Sequence, residues 1–250
     1  MRIQIATIAF LAAAAPAAAD VVQDLRDGVI TECRGCDLRE ANFKKADLSG
    51  VDLTGADLTG ARFHRAVLNG TIFADVTATR ANFNVAQLRR AVFTNADLTQ
   101  ALFYEAQLSG ADMTGATLVN AKMQHSRMTS AVLADATVEE TDMNAARINN
   151  ADLSGVQMFN VSIKEASLGR TDFSGAAMSY LSIVQSDAAR ANFADATIEY
   201  TDFWGSDLRE TDFTGAKITE SRFSRANMRG ALLDGAEITR TFRADGTFQE

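Results

Sequence analysis

The sequence predicts an all-β solenoid, a four-sided coil of about twenty residues per turn with a short helix at its N-terminal end. Three observations predict it. From Cys36 to Arg240 a five-residue pattern recurs through forty-one units without insertion or deletion. Every fifth position holds a large apolar residue, as in Leu38, Phe43, Leu48, Leu53, Leu58 and Phe63, and two places earlier stands a small one, nearly always Ala. Eleven Phe residues of the array fall at positions ending in 3, from Phe43 to Phe223, while the interleaved positions ending in 8 hold Leu, Met, Ile, Val or Ala.

A period of five fits neither a helix nor a flat strand. Wound as a helix, the apolar positions would sweep round every side and leave no stripe to bury. A short fixed repeat instead buries its apolar residues by stacking each unit on the next. The alternation of rings with slimmer side chains requires an even number of sides per coil. Two sides enclose no core, so four is the smallest solution, and alternating aromatic and aliphatic sides fill it to ordinary density.

The motif A-(D/N)-(L/F)-x-x, as in Ala41-Asn42-Phe43, Ala46-Asp47-Leu48 and Ala56-Asp57-Leu58-Thr59-Gly60, resembles the pentapeptide repeat proteins. That resemblance implies a right-handed quadrilateral parallel β-helix with one pentapeptide per side. Forty-one pentapeptides then make about ten coils, a rod roughly 50 Å long at the ~4.8 Å spacing of neighbouring strands. It also implies that the Asp and Asn preceding the large residue serve the corner backbone.

Taken in order, residues 1–19 read as a secretory leader: Arg2, an apolar run from Ile3 to Ala15, and Ala17-x-Ala19 as a cleavage site before Asp20. The run is too short to span a membrane, and the mature chain is expected to be exported, periplasmic or secreted. Residues 20–35 read as a cap. Asp20 is the expected N-cap of a helix stopped by Gly28, with Val21, Val22 and Leu25 on the face that covers the first coil. Cys33 and Cys36 are the only cysteines. In an exported chain they read as a disulfide fastening the cap to the first coil; a redox-active pair and half of a zinc site are the alternatives. The resemblance favours the structural disulfide, since exported relatives place a C-x-x-C-(D/N)-L box at the start of the array.

Residues 36–240 form the array. Ala78 and Ala188 replace its large residue, and Met113, Met123, Met128 and Met143 suggest adaptable core filling. Residues 241–250 leave the pattern as a C-terminal cap or tail, with Phe242 and Phe248 expected to fold over the last coil. The only Pro is Pro16, so no linker divides the array.

Little in the array points to catalysis. His64 and His125 fall on different coils, no phosphate-binding or nucleophile motif occurs, and the carboxylates belong to the repeat. No cofactor or metal is expected. The chain carries 32 acidic and 24 basic residues, a net of −8, and loss of Arg2 with the leader makes it −9. This argues against nucleic-acid binding. It leaves three readings: an envelope scaffold or protein-binding module, a DNA-mimicking inhibitor of gyrase as some relatives are, and a thiol-redox protein. The basic residues, among them Arg80, Arg89, Arg90, Arg127, Arg147 and Arg170, look scattered and oppose mimicry. For the partner surface, residues twenty apart stack, which places Phe159, Tyr180 and Tyr200 near one another and Val184 beneath Trp204. The partner is unknown, and no sequence feature supports dimerisation.

Overall fold

The computed structural model describes residues 18–250. The expected leader therefore lies outside the described residues, apart from Ala18 and Ala19. These two open helix α1 (Ala18–Arg26), so the helix starts upstream of Asp20 rather than at it. Ala is the strongest helix former, and the alanine run carries the first turn upstream. The C-terminal stop is as expected: Gly28 takes φ +70°, its N–H bonds the Leu25 carbonyl at 3.2 Å, and the Val29 N–H reaches the Asp24 carbonyl at 2.8 Å. Leu25 is fully buried against the core, with Val21, Val22 and Ile30 packed beside it. The Arg26 guanidinium bonds the Asn42 carbonyl at 2.5 Å and holds the helix on the first coil.

From there the chain is a parallel β-solenoid. Bridges join the second residue of a pentapeptide to the residue twenty further on, from Glu32 with Asp52 to Arg222 with Phe242, which makes four pentapeptides one coil. Regular strand structure is more restricted than a count of about ten coils implies. One continuous sheet runs through β1 (Thr117–Val119), β2 (Thr137–Glu139), β3 (Gln157–Phe159), β4 (Ala177–Ser179), β5 (Thr197–Glu199), β6 (Lys217–Thr219) and β7 (Glu237–Thr239). Its six parallel pairings make six coil-to-coil steps, and elsewhere adjacent coils meet through single bridges.

The difference shows at the corners. A typical corner closes with a bond from the small residue back to the large one, as from the Ala41 N–H to the Leu38 carbonyl at 3.1 Å. On the side that becomes the sheet, that bond is made at Ala41, Ala61, Ala81 and Ala101, whereas the slots after β1 to β6 hold Ala121, Thr141, Val161, Leu181, Thr201 and Ser221 and the three residues ending two places before each of them are extended.

The core is one axial column of buried side chains. Phe43, Phe63, Phe83 and Phe103 stack with centroids 4.9–5.1 Å apart, Phe73 and Phe93 at 4.6 Å, and the two columns meet edge-on at 5.6–6.1 Å. A second aromatic block joins Phe173, Phe193 and Phe213 to Phe203 and Phe223. The ring spacing is that of the coils themselves, so stacking adds to burial without distorting the backbone. Between the blocks Met113, Met123, Met128 and Met143 are fully buried as core.

The C-terminal end departs from expectation. Thr241–Phe242 (β8) and Phe248–Gln249 (β9) pair antiparallel, with Phe242 directly opposite Phe248. Directly opposed side chains share a face, so the rings pack on each other at 5.1 Å and stay half exposed instead of folding over the last coil. Gln249 ties the hairpin to the Ile238 carbonyl at 2.8 Å. A hollow of about 400 Å³ remains, lined by Phe223, Met228, Leu233 and Ile238.

Candidate functional site

The polar groups of the array are committed first to its corners. The carboxylate or amide before the large residue accepts the backbone N–H two places on, as Asp47 does from Ser49 at 3.0 Å and Asp57 from Thr59 at 3.0 Å. At Ser49, Thr54, Thr59, Thr114 and Ser154 the hydroxyl also donates to the same oxygen at 2.6–2.7 Å. Hydrogen bonding to the charged form holds Asp47 below the usual carboxylate range, chiefly through the Ser49 hydroxyl and then its N–H. Asp52 is lowered by the Thr54 hydroxyl first, and Asp37 falls to about 2 through its bonds with the Arg39 side chain. These depressed values have a structural cause at each corner and form no acid–base pair.

The histidines are not brought together. His64 stands one place after Phe63 and His125 two places after Met123, on coils three bridge steps apart, and His125 packs edge-on against Tyr104 at 5.5 Å. Among the described residues no group of three His, Cys, Asp or Glu side chains is placed to hold a metal ion. Cys33 and Cys36 stand at disulfide distance, their Cα atoms 5.5 Å apart, with Cys33 buried and Cys36 half-buried beside the core.

The predicted aromatic surface resolves into two groups. Tyr180 and Tyr200 stack with centroids 4.7 Å apart, and Phe159 meets Tyr180 edge-on at 5.6 Å. These three rings remain 51%, 46% and 45% exposed for Tyr180, Tyr200 and Phe159. Twenty-residue spacing puts Tyr180 and Tyr200 at the same corner of successive coils, the corner that follows the seven-stranded sheet. Phe159 ends β3, and a shallow hollow of about 270 Å³ opens beside it over Met158, Ala177 and Thr197. Trp204 and Val184 lie at the next corner: Trp204 is half-buried and carries the Arg225 guanidinium 5.4 Å from its ring centroid. That cation over the ring occupies its face and leaves the three-ring ladder as the freer apolar surface.

Sequence reasoning missed a second feature. Arg89, Arg90, Arg127 and Arg147, which look dispersed along the chain, line one groove of about 980 Å³. The signal that could have found it is their place in the repeat, since all four belong to the side carrying Leu88, Leu108, Met128 and Ile148. Among the described residues, no helix is long and apolar enough to cross a membrane.

Comparison with known proteins follows the same repeat. The family model described as pentapeptide repeats matches in eight copies, over residues 31–60, 56–95, 86–124, 126–164, 191–230 and 211–241. No curated protein matches the chain. Solved structures similar to it include HetL, a pentapeptide repeat protein involved in heterocyst differentiation regulation from the cyanobacterium Nostoc sp. strain PCC 7120. It is 21% identical, with 92% of this chain and 98% of that one covered and a TM-score of 0.40. QnrB1, a plasmid-mediated fluoroquinolone resistance protein, is 19% identical over 61% of this chain and 86% of its own, with a TM-score of 0.39. A pentapeptide repeat protein of the Arabidopsis thaliana thylakoid lumen is 34% identical over 41% of this chain and 68% of its own, with a TM-score of 0.33.

Proposed function

The chain belongs to the pentapeptide repeat family, and from that premise we propose that it is an exported, non-enzymatic binding module whose ladder of Phe159, Tyr180 and Tyr200 contacts a protein partner. The observation that carries this reading is the ladder itself: three adjoining rings, each about half exposed, on a rod whose outward residues are otherwise largely polar. Clustered exposed aromatics are characteristic of contact sites, where rigid rings give large buried area at little entropic cost. The leader-like residues 1–19 support export, and in an oxidising compartment Cys33 and Cys36, already at bonding distance, close as a structural disulfide. Redox cycling is disfavoured by the burial of Cys33. A duplex-mimicking surface needs acid along its length, and the arginine groove interrupts it.

The test is to express the full chain with its own first residues and a photo-cross-linking residue at position 180, with position 120 of the same column as control. The expected result is a chain beginning at Asp20 outside the cytoplasm that yields an adduct from position 180 and not from 120. A cytoplasmic chain retaining Met1, or adducts of equal yield from both positions, would overturn the reading.

A further inference from the structure

We propose that the arginine groove binds a short acidic protein segment laid along the axis of the solenoid. This surface lies on a different side from the aromatic ladder and does not depend on it. Arg89, Arg90, Arg127 and Arg147 line the groove over a floor of small polar residues such as Ser109 and Thr129. Among the described residues no carboxylate lies within 4.0 Å of any of these four guanidinium groups. Arg34, Arg39, Arg190, Arg209, Arg222 and Arg240 each have an acidic partner; among the described residues other arginines such as Arg80 and Arg170 also lack one, but these four share a groove. In a chain of net charge −8, four unpaired cations around one groove repel one another and call for an anion from outside. All four are arginines, whose planar fork grips a carboxylate with two parallel bonds where a lysine offers a point charge.

The size of the patch selects the kind of anion. The bridged column through the groove reads Asp47, Val67, Gln87, Gln107, Arg127, Arg147, Ser167 and Asp187, so its charge is bounded by acid at both ends. From Arg90 to Arg147 is three coil steps, ~15 Å, the length of four or five extended residues at ~3.3 Å each. A nucleic acid or an acidic polysaccharide carries charge along its whole length and would run on over Asp47 or Asp187. A protein segment can confine its carboxylates to a few residues. No aromatic ring lines the groove, which removes the stacking on which single-stranded nucleic acids rely. On the neighbouring corner Glu105 and His125 border Arg127 and Arg147, and Glu105 forms no ion pair with either.

The probe is a fluorescein-labelled hexaglutamate peptide, titrated into the full chain by anisotropy at low and at high salt. The proposal expects binding that weakens with salt and at least about tenfold in R127E/R147E. The pair R127Q/R147Q, which removes charge without introducing repulsion, is expected to lose less in the same direction. R225E, on another side of the rod, is expected to bind as the parent does. Circular dichroism checks that each variant retains the solenoid. The proposal is overturned by absence of peptide binding at low salt, or by binding that neither groove variant weakens. It is equally overturned if an oligothymidylate or an oligogalacturonate of the same charge binds as tightly as the peptide.

Discussion

At the scale of single residues, the corner is where this fold is decided. The fifth residue of each pentapeptide adopts positive φ, and twenty-nine of these residues are not glycine. An L-residue there costs about 1 kcal/mol or more, a cost that polar side chains such as Asn and Asp bear best. Val85, at φ 60°, is the only β-branched residue among them. Its replacement by Gly is expected to raise the urea midpoint by the equivalent of about 1 kcal/mol; an unchanged or lower midpoint would count against corner strain at this site. The corner carboxylates set the acid response. Asp37, Asp47 and Asp52 all have depressed values in the fold, Asp37 reaching about 2 from 3.8. A depressed folded pKa stabilises above the unfolded value and loses that contribution as pH falls through the folded one. Thermal stability is therefore expected to hold from neutrality to about pH 4 and to fall between about pH 4 and 2. Asp47→Asn keeps an oxygen for the Ser49 N–H and should make that fall shallower. A decline already complete by pH 5 would rule out these groups as its source.

At the scale of elements, the ends are treated differently. Helix α1 closes the first coil with a fully buried Leu25, a glycine stop and the Arg26 bond to Asn42. Leu25→Ala is expected to cost about 2–4 kcal/mol at that end. Since each coil touches only its neighbours, the effect should stay local. Amide exchange should quicken around Leu38 and Phe43 and remain unchanged around Phe193 and Ile198; uniform acceleration along the rod would show that the coils unfold as one unit. The β8–β9 hairpin protects less, leaving Leu232 and Leu233 half exposed. Within the array the seven-stranded sheet is confined to one side, from Thr117 to Thr239, and the other sides join their neighbours through single bridges.

At the scale of the whole molecule, the solenoid turns sequence distance into direction. A step of twenty residues moves straight up the rod, while a step of five turns to the next side. Residues at one place in every fourth pentapeptide therefore make a column. The columns differ in charge and apolarity even though each pentapeptide looks like the next. The proposed partner surfaces occupy two of them: an aromatic column on the corner after the sheet and a basic groove on the side of Leu88 and Leu108. Rigidity suits both, because neither surface must be ordered before it binds.

Most of this architecture was legible in the linear chain. The five-residue period, the segregation of Phe to alternate inward positions and the small slot before each large residue state the coil, its four sides and its core. They do so because each coil is built from local units that repeat without interruption. The Tyr180–Tyr200 stack was legible for the same reason, since both residues hold one place in the coil. What only the tertiary structure decided depends on contacts between unlike places. Arg89 and Arg90 stand at the fourth and fifth places of one pentapeptide and Arg127 and Arg147 at the second places of two others on the same side, and only the fold shows that these unlike places line one groove. The pairing of Phe242 with Phe248 and the opening of the corners into strands were likewise hidden. The first follows from side chains meeting across strands, which a spacing rule does not encode.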